Sequence, residues 1–156
     1  MSLKNQRLIN ITMILLSCLP IPFIGRRSLK RFLPAAIFII IFEVLNVHIA
    51  RKRKWWVTYK KSNSFLRFEF PMIVGPFFVS TLWILKSTYG NFKKFILLNA
   101  SINTFFAFVI TKVTEKLKLA KLIRLNQFQF FLYLFYKAFI LYGFQYLIDR
   151  KRRYKW

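Results

Sequence analysis

The stretch FLPAAIFIIIFEVLNVHIA, Phe32 to Ala50, followed at once by RKRKWW, Arg51 to Trp56, decides the fold class. A helix needs about 20 mostly apolar residues to cross the ~30 Å hydrocarbon core of a bilayer. This block has that length, and its end is marked by a basic run and the paired indoles of Trp55 and Trp56. Lysine, arginine and tryptophan gather where a span meets the headgroups, so Trp55 and Trp56 read as interface anchors. Glu43 is the one acid inside the block. A central charge costs about 2.5–3.5 kcal/mol on insertion scales. The large aliphatic and Phe residues between Ile37 and Ile49 together return about 3–6 kcal/mol on the same scale. Asn46 and His48 narrow the margin. Insertion stays favourable, but the carboxylate must face protein or water rather than lipid.

Four further blocks share this build. Leu8 to Gly25 follows Lys4 and Arg7 and is broken at its far end by Pro20 and Pro22. It is short, and reads as a tilted span, a re-entrant segment or an interfacial helix. Cys18, the only cysteine, excludes an internal disulfide. Leu15 to Cys18 loosely resembles a lipoprotein cleavage site, but Leu16 fits that pattern poorly and more spans follow; Cys18 reads as a small hydrophobe. Phe65 to Leu85 carries Pro71, Gly75 and Pro76, where loss of a backbone donor predicts a kink. Phe92 to Thr111 has a small, polar stripe at spacing four, Asn99, Asn103, Ala107 and Thr111, with Thr104 beside it. Such a stripe (Asn99, Asn103, Thr104, Ala107) suits helix contact inside a membrane bundle. Phe128 to Ile148 is rich in Phe and Tyr and holds Lys137 near its middle. The basic connector Lys112 to Gln127, with Lys118, Lys121 and Arg124 every third residue, reads as a connecting helix or a segment lying on headgroups. β-barrel spans would alternate in short segments, which these do not.

The expected fold is therefore all-α: one domain, an integral membrane helical bundle with four to five transmembrane helices, over residues 8–25, 32–50, 65–85, 92–111 and 128–148 of 156. The composition agrees. Apolar residues make up 56 % of the chain, and the net charge of +23 is concentrated between the apolar blocks. In a soluble protein that charge would suggest nucleic acid; placed at the ends of spans, it suits anionic lipid headgroups instead. With five spans, one face of the membrane would hold 14 basic residues and the other 12, which leaves orientation almost balanced. The dense run Arg51 to Lys61 favours a cytoplasmic placement of that loop.

Ionisable residues inside spans are functional suspects. Glu43 and Lys137 lie near the middles of their blocks, and a mutual approach inside the bundle is the expectation to test. The bland alternative is a protonated Glu43 and a Lys137 that snorkels to a headgroup. Glu69, two residues before Pro71, reads as a cation contact, a group holding a bent helix end or a solvated interface charge, Glu115 as a partner of nearby lysines, and His48 as structural. One histidine and one cysteine make no metal cluster, and no phosphate loop or nucleophile elbow is present.

Several features together resemble a family of small polytopic membrane proteins of clostridia and bacilli to which no activity is assigned. They are the run from Leu19-Pro20 to Arg31, the acid Glu43 late in the second block and the aromatic-basic loop Trp55 to Lys61. Phe68-Glu69-Phe70-Pro71 and Glu115-Lys116 complete the pattern. The loop here lacks the prolines usual in that family, and Ala107 stands where an acid is common. The resemblance implies a helical bundle in a bacterial plasma membrane. The expected function is that of a non-enzymatic membrane component, a scaffold or partner subunit. The alternatives are a small transporter or ion conductor using Glu43, Glu69 and Lys137, and a membrane-embedded enzyme acting on lipid. The expected partners are the bilayer, its anionic headgroups, and other membrane subunits or a second copy; no cofactor, metal or nucleic acid is expected.

Overall fold

A computed structural model of the chain describes residues 3–58, 69–118 and 120–154, excluding the side chains of Leu3, Gln6, Thr58 and Glu69. The helices are α1 (Leu3–Cys18), α2 (Ile21–Ile24), α3 (Arg26–Lys52), α4 (Glu69–Met72), α5 (Phe78–Thr88), α6 (Phe92–Phe105), α7 (Thr111–Lys116) and α8 (Gln127–Arg153). Single π-helical turns, Ile73–Phe77 and Phe106–Ile110, join α4 to α5 and α6 to α7. Two three-residue strands, β1 (Trp56–Thr58) and β2 (Ala120–Leu122), pair antiparallel, with Val57 opposite Lys121.

The architecture is all-α, with five helical stretches long and apolar enough to cross a membrane. They run over Arg7–Ile24, Arg26–Lys52, Phe70–Thr88, Phe92–Lys116 and Gln127–Arg153. The first, at 18 residues the shortest, is still long and apolar enough to qualify, so the bundle has five such helices rather than four. The second, fourth and fifth are longer than their apolar blocks because the flanking basic residues continue the helix. Lys and Arg are good helix formers, and at a C-terminus they also meet the negative end of the helix dipole. The third is helical from Glu69; its expected start, Phe65 to Phe68, lies outside the described residues.

Local chemistry sets the boundaries. Gly25 (φ 81°) and Gly90 (φ 100°) occupy the left-handed region at the turns into α3 and α6, where a side chain would be strained. Asn91 caps α6 by accepting from the Lys94 N–H at 3.2 Å, and Asn126 with Gln129 forms a capping box on α8. Pro34 lies inside α3 and cannot donate to the Lys30 carbonyl one turn back. The Arg152 guanidinium donates to that oxygen instead, at 3.4 Å.

The connector after the fourth helix differs from expectation. It is neither a connecting helix nor a surface helix: the helix stops at Lys116, Lys118 turns with φ 52°, and β2 follows. The same device ends α3. Lys54 has φ 53°, its N–H bonds the Arg51 carbonyl, and the Trp55 N–H reaches back to Ala50, which is a Schellman cap. Each left-handed lysine feeds a strand, and the two strands tie the end of the second helix to the start of the fifth. This end is the ribbon end of the bundle; the opposite, turn end carries the α2–α3 and α5–α6 turns and the C-terminus of α8.

α3 and α8 run antiparallel in one continuous register. Arg31 meets Asp149, Phe38 stacks on Phe144 with centroids 3.9 Å apart, Glu43 meets Lys137, and Tyr136 donates to Asn46. α3, α5, α6 and α8 enclose the core, centred on Ala35, Ala36, Leu82, Leu85 and Phe95 toward the turn end. α1 rests on α4 and the first π-turn, where Gly75 lets the backbones close: a Cβ there would stand 3.4 Å from the Ile14 Cα.

Candidate functional site

Lys137 and Glu43 each lie about ten residues from the ribbon end of their helices. At 1.5 Å per residue that is roughly 14 Å in. Their exposures are 3 % and 7 %. The Lys137 ammonium donates to Glu43 Oε2, and the Tyr133 hydroxyl donates to Oε1 at 3.4 Å. The ammonium also sits 3.8 Å from the Tyr133 ring centroid and 5.9 Å from that of Phe77, so two aromatic faces share the cation. Tyr133 is held in turn by edge contacts with Trp55 and Trp56. Each charge is thereby matched by an opposite charge and by polarisable rings, which a buried ion pair needs to offset its desolvation.

The pair forms part of the wall of a partly open cleft of about 190 Å³. Ile73, Pro76 and Phe77 of the first π-turn line one side; Phe106 and Ile110 of the second line the other. π-turns widen a helix by one residue and frequently mark functional sites. In the first, Pro76 explains the break, since it cannot donate one turn back. Most of the wall is apolar; besides the pair, Trp56, Ser80, Thr81, Asn99, Asn103, Thr111, Thr114, Tyr133 and, from β2, Lys121 supply polar atoms.

The fourth-helix stripe divides. Asn99 and Ala107 are buried, Asn103 is half-buried in the cleft, and Asn99 donates Nδ2 to the Phe95 carbonyl at 2.8 Å. Thr104 does not belong to the stripe. It is exposed and returns its hydroxyl to the Ala100 carbonyl, because one residue past Asn103 turns the side chain by about 100°. Trp55 and Trp56 are half-buried, and Trp56 packs on Phe130 and Tyr133. Glu69 opens α4, with its side chain outside the described residues. Glu115 pairs with Lys121 at 3.0 Å in an exposed bridge of little energetic weight. His48 is exposed.

A second ion pair went unnoticed in the sequence. Both Arg31 Nε and Nη2 donate to Asp149 Oδ2, at 3.2 and 2.7 Å, and Gln145 Nε2 donates to Oδ1 at 3.2 Å. The guanidinium stacks near Phe32 and Tyr89. Burial, followed by the charge of Asp149, pushes the Tyr89 phenol up to about 12, so it stays protonated near neutrality. The signal was available: Arg31 and Asp149 each lie twelve residues from Glu43 and Lys137, toward the same end, with signs reversed. No family model, curated protein or solved structure matches this chain. The geometry offers a neutralised, ring-shielded charge pair at the back of an apolar cleft, with neutral hydrogen-bonding groups facing it.

Proposed function

We propose that the protein is a multi-pass membrane protein acting as a non-enzymatic membrane component, in a bacterial plasma membrane as the family resemblance implies. One observation carries the membrane part: the bundle is inside-out. Leu8, Leu15 and Leu16 on α1, Ile41 and Leu45 on α3, Leu97 on α6 and Leu132 and Phe139 on α8 are exposed, while Glu43, Lys137, Asn99, Gln145 and Asp149 are buried. In water such an arrangement would leave large apolar faces hydrated and polar groups desolvated; in lipid both placements are favourable. The test is an alkaline carbonate wash of membranes from expressing cells. Retention of the chain in the pellet is expected, and release into the supernatant overturns the proposal.

The cleft that reaches Glu43 and Lys137 favours a second reading, a small transporter or ion conductor. Proteoliposome flux compared between the parent chain and Glu43→Gln separates the two: flux abolished by the substitution supports transport, and its absence in both supports a component without transport.

A further inference from the structure

We propose that the cleft between the third and fourth helical stretches binds a neutral amphiphile that enters from the membrane interior, its uncharged hydroxyl or carbonyl head held by Asn103, Ser80 and Asn99. The proposal rests on the membrane reading above.

The packing makes the opening. At the turn end α5 packs on α6, and the two helices are close. Toward the ribbon end they part company. α4 and its π-turn pack on α1, and the π-turn also on α3, whereas the second π-turn packs on α8 and α7 packs on β2. Among the described residues the two walls make no substantial contact there, and the cleft fills the space between them. It thus opens sideways, between helices, onto what would be lipid.

Charge selects the occupant. Glu43 and Lys137 satisfy each other, with Tyr133 on both, and Lys121 of β2, the one other charged side chain of the lining, is paired with Glu115 at the ribbon end, so every charge that lines the cleft already has a partner. A charged head brought in would be desolvated without a partner, at a cost of several kcal/mol. The polar capacity left over is neutral. The side chains of Asn103 and Ser80 make no hydrogen bond to any described residue, and the side chain of the buried Asn99 commits only its Nδ2, leaving Oδ1 without a protein partner. Such groups donate and accept, as a hydroxyl or carbonyl requires. Depth points the same way. Ser80, Asn99 and Asn103 lie near the middles of their helices. A phospholipid keeps its ionic head at the surface, while an uncharged head can descend to that level.

The experiment uses the full chain extracted from membranes in detergent, with 10-bromo-1-decanol as a quencher of Trp56, which lines the cleft. Saturable quenching is expected, lost in Trp56→Phe. 1-Decanol should compete at least tenfold better than decanoate or decyltrimethylammonium. Asn103→Leu should raise the half-quenching concentration at least tenfold, and the exposed neighbour substitution Thr104→Leu should leave it unchanged. Ser80→Leu repeats the test from the opposite wall should Asn103→Leu fail to fold. Unsaturable quenching, equal competition by the charged chains, or parent-like binding by both leucine variants overturns the site. A chain retained by alkali-washed membranes but lacking saturable quenching loses only this proposal; release by alkali removes the membrane reading itself.

Discussion

Lys137 is the cation that neutralises Glu43, and among the described residues no other stands within salt-bridge distance of that carboxylate. Lys137→Met therefore strands a buried carboxylate. Breaking a buried pair from one side costs about 3–5 kcal/mol, whereas replacing both partners with apolar residues is often neutral. Thermal unfolding in detergent should show a large fall for Lys137→Met and recovery of most of it in Glu43→Leu/Lys137→Met. Rescue by the exchange Glu43→Lys/Lys137→Glu should be substantial too; a double variant no better than the worse single one would refute the pairing. At this scale the site was partly legible. Two charges deep in apolar blocks stand out in any reading of the chain, and burial forces them to seek each other. Tyr133 did not stand out, because a chain with 20 Phe and seven Tyr gives no ring a distinguishing mark. Nor could the stripe be assigned residue by residue, since Thr104 shares its chemistry but not its angle.

Between elements, the α3–α8 register is the organising contact, and its two ion pairs act as a key. Arg31 and Glu43 on one helix face Asp149 and Lys137 on the other, so sliding either helix by a turn, or reversing it, would unpair a buried charge. In a Cys18→Ser background, Phe38→Cys with Phe144→Cys should cross-link readily under mild oxidation, since these rings stack with centroids 3.9 Å apart. Phe38→Cys with Tyr154→Cys, more than two turns displaced, should not; equal cross-linking of both pairs would dissolve the register. A second contact depends on one missing side chain. Gly75→Leu should push α1 off the first π-turn and cost about 1–3 kcal/mol of stability, read as a lower unfolding temperature; a parent-like value would mean that α1 does not seat there. Boundaries between elements were the least legible feature. The every-third spacing of Lys118, Lys121 and Arg124 reads as a poor helix, and it becomes a turn and a strand because Lys118 takes the left-handed conformation that lysine rarely adopts. Its strand partner, β1, lies 62 residues earlier across two helices, and no local pattern announces a pairing of that range.

For the molecule as a whole, hydrophobic blocks made the helical class plain, since length and apolarity are local properties that survive in any arrangement. How the helices pack depends on contacts between distant residues, and a single sequence does not encode those visibly. The direction in which the bundle faces was nearly hidden, with 14 basic residues against 12. The fold sharpens the question. β1 follows the second helix and β2 the fourth, yet they pair, so both loops share one end, as five membrane crossings would require. The Arg31–Asp149 pair and the bond from Lys86 to the Phe23 carbonyl likewise gather the start of α3, the ends of α5 and α8, and α2 at the other end. Sidedness is therefore one binary choice for the whole chain. The dense run Arg51 to Lys54 beside the ribbon favours that end in the cytoplasm. Single cysteines replacing Lys54 or Lys118, again in Cys18→Ser, should resist a membrane-impermeant maleimide in intact cells and react after permeabilisation. Cysteines replacing Lys93 or Tyr154, both exposed at the turn end, should react without it. The opposite labelling of all four positions would invert the orientation and keep the fold, because inverting a rigid bundle moves both ends together. Labelling that placed Lys54 and Lys118 on different sides would break the ribbon and, with it, the five-crossing arrangement.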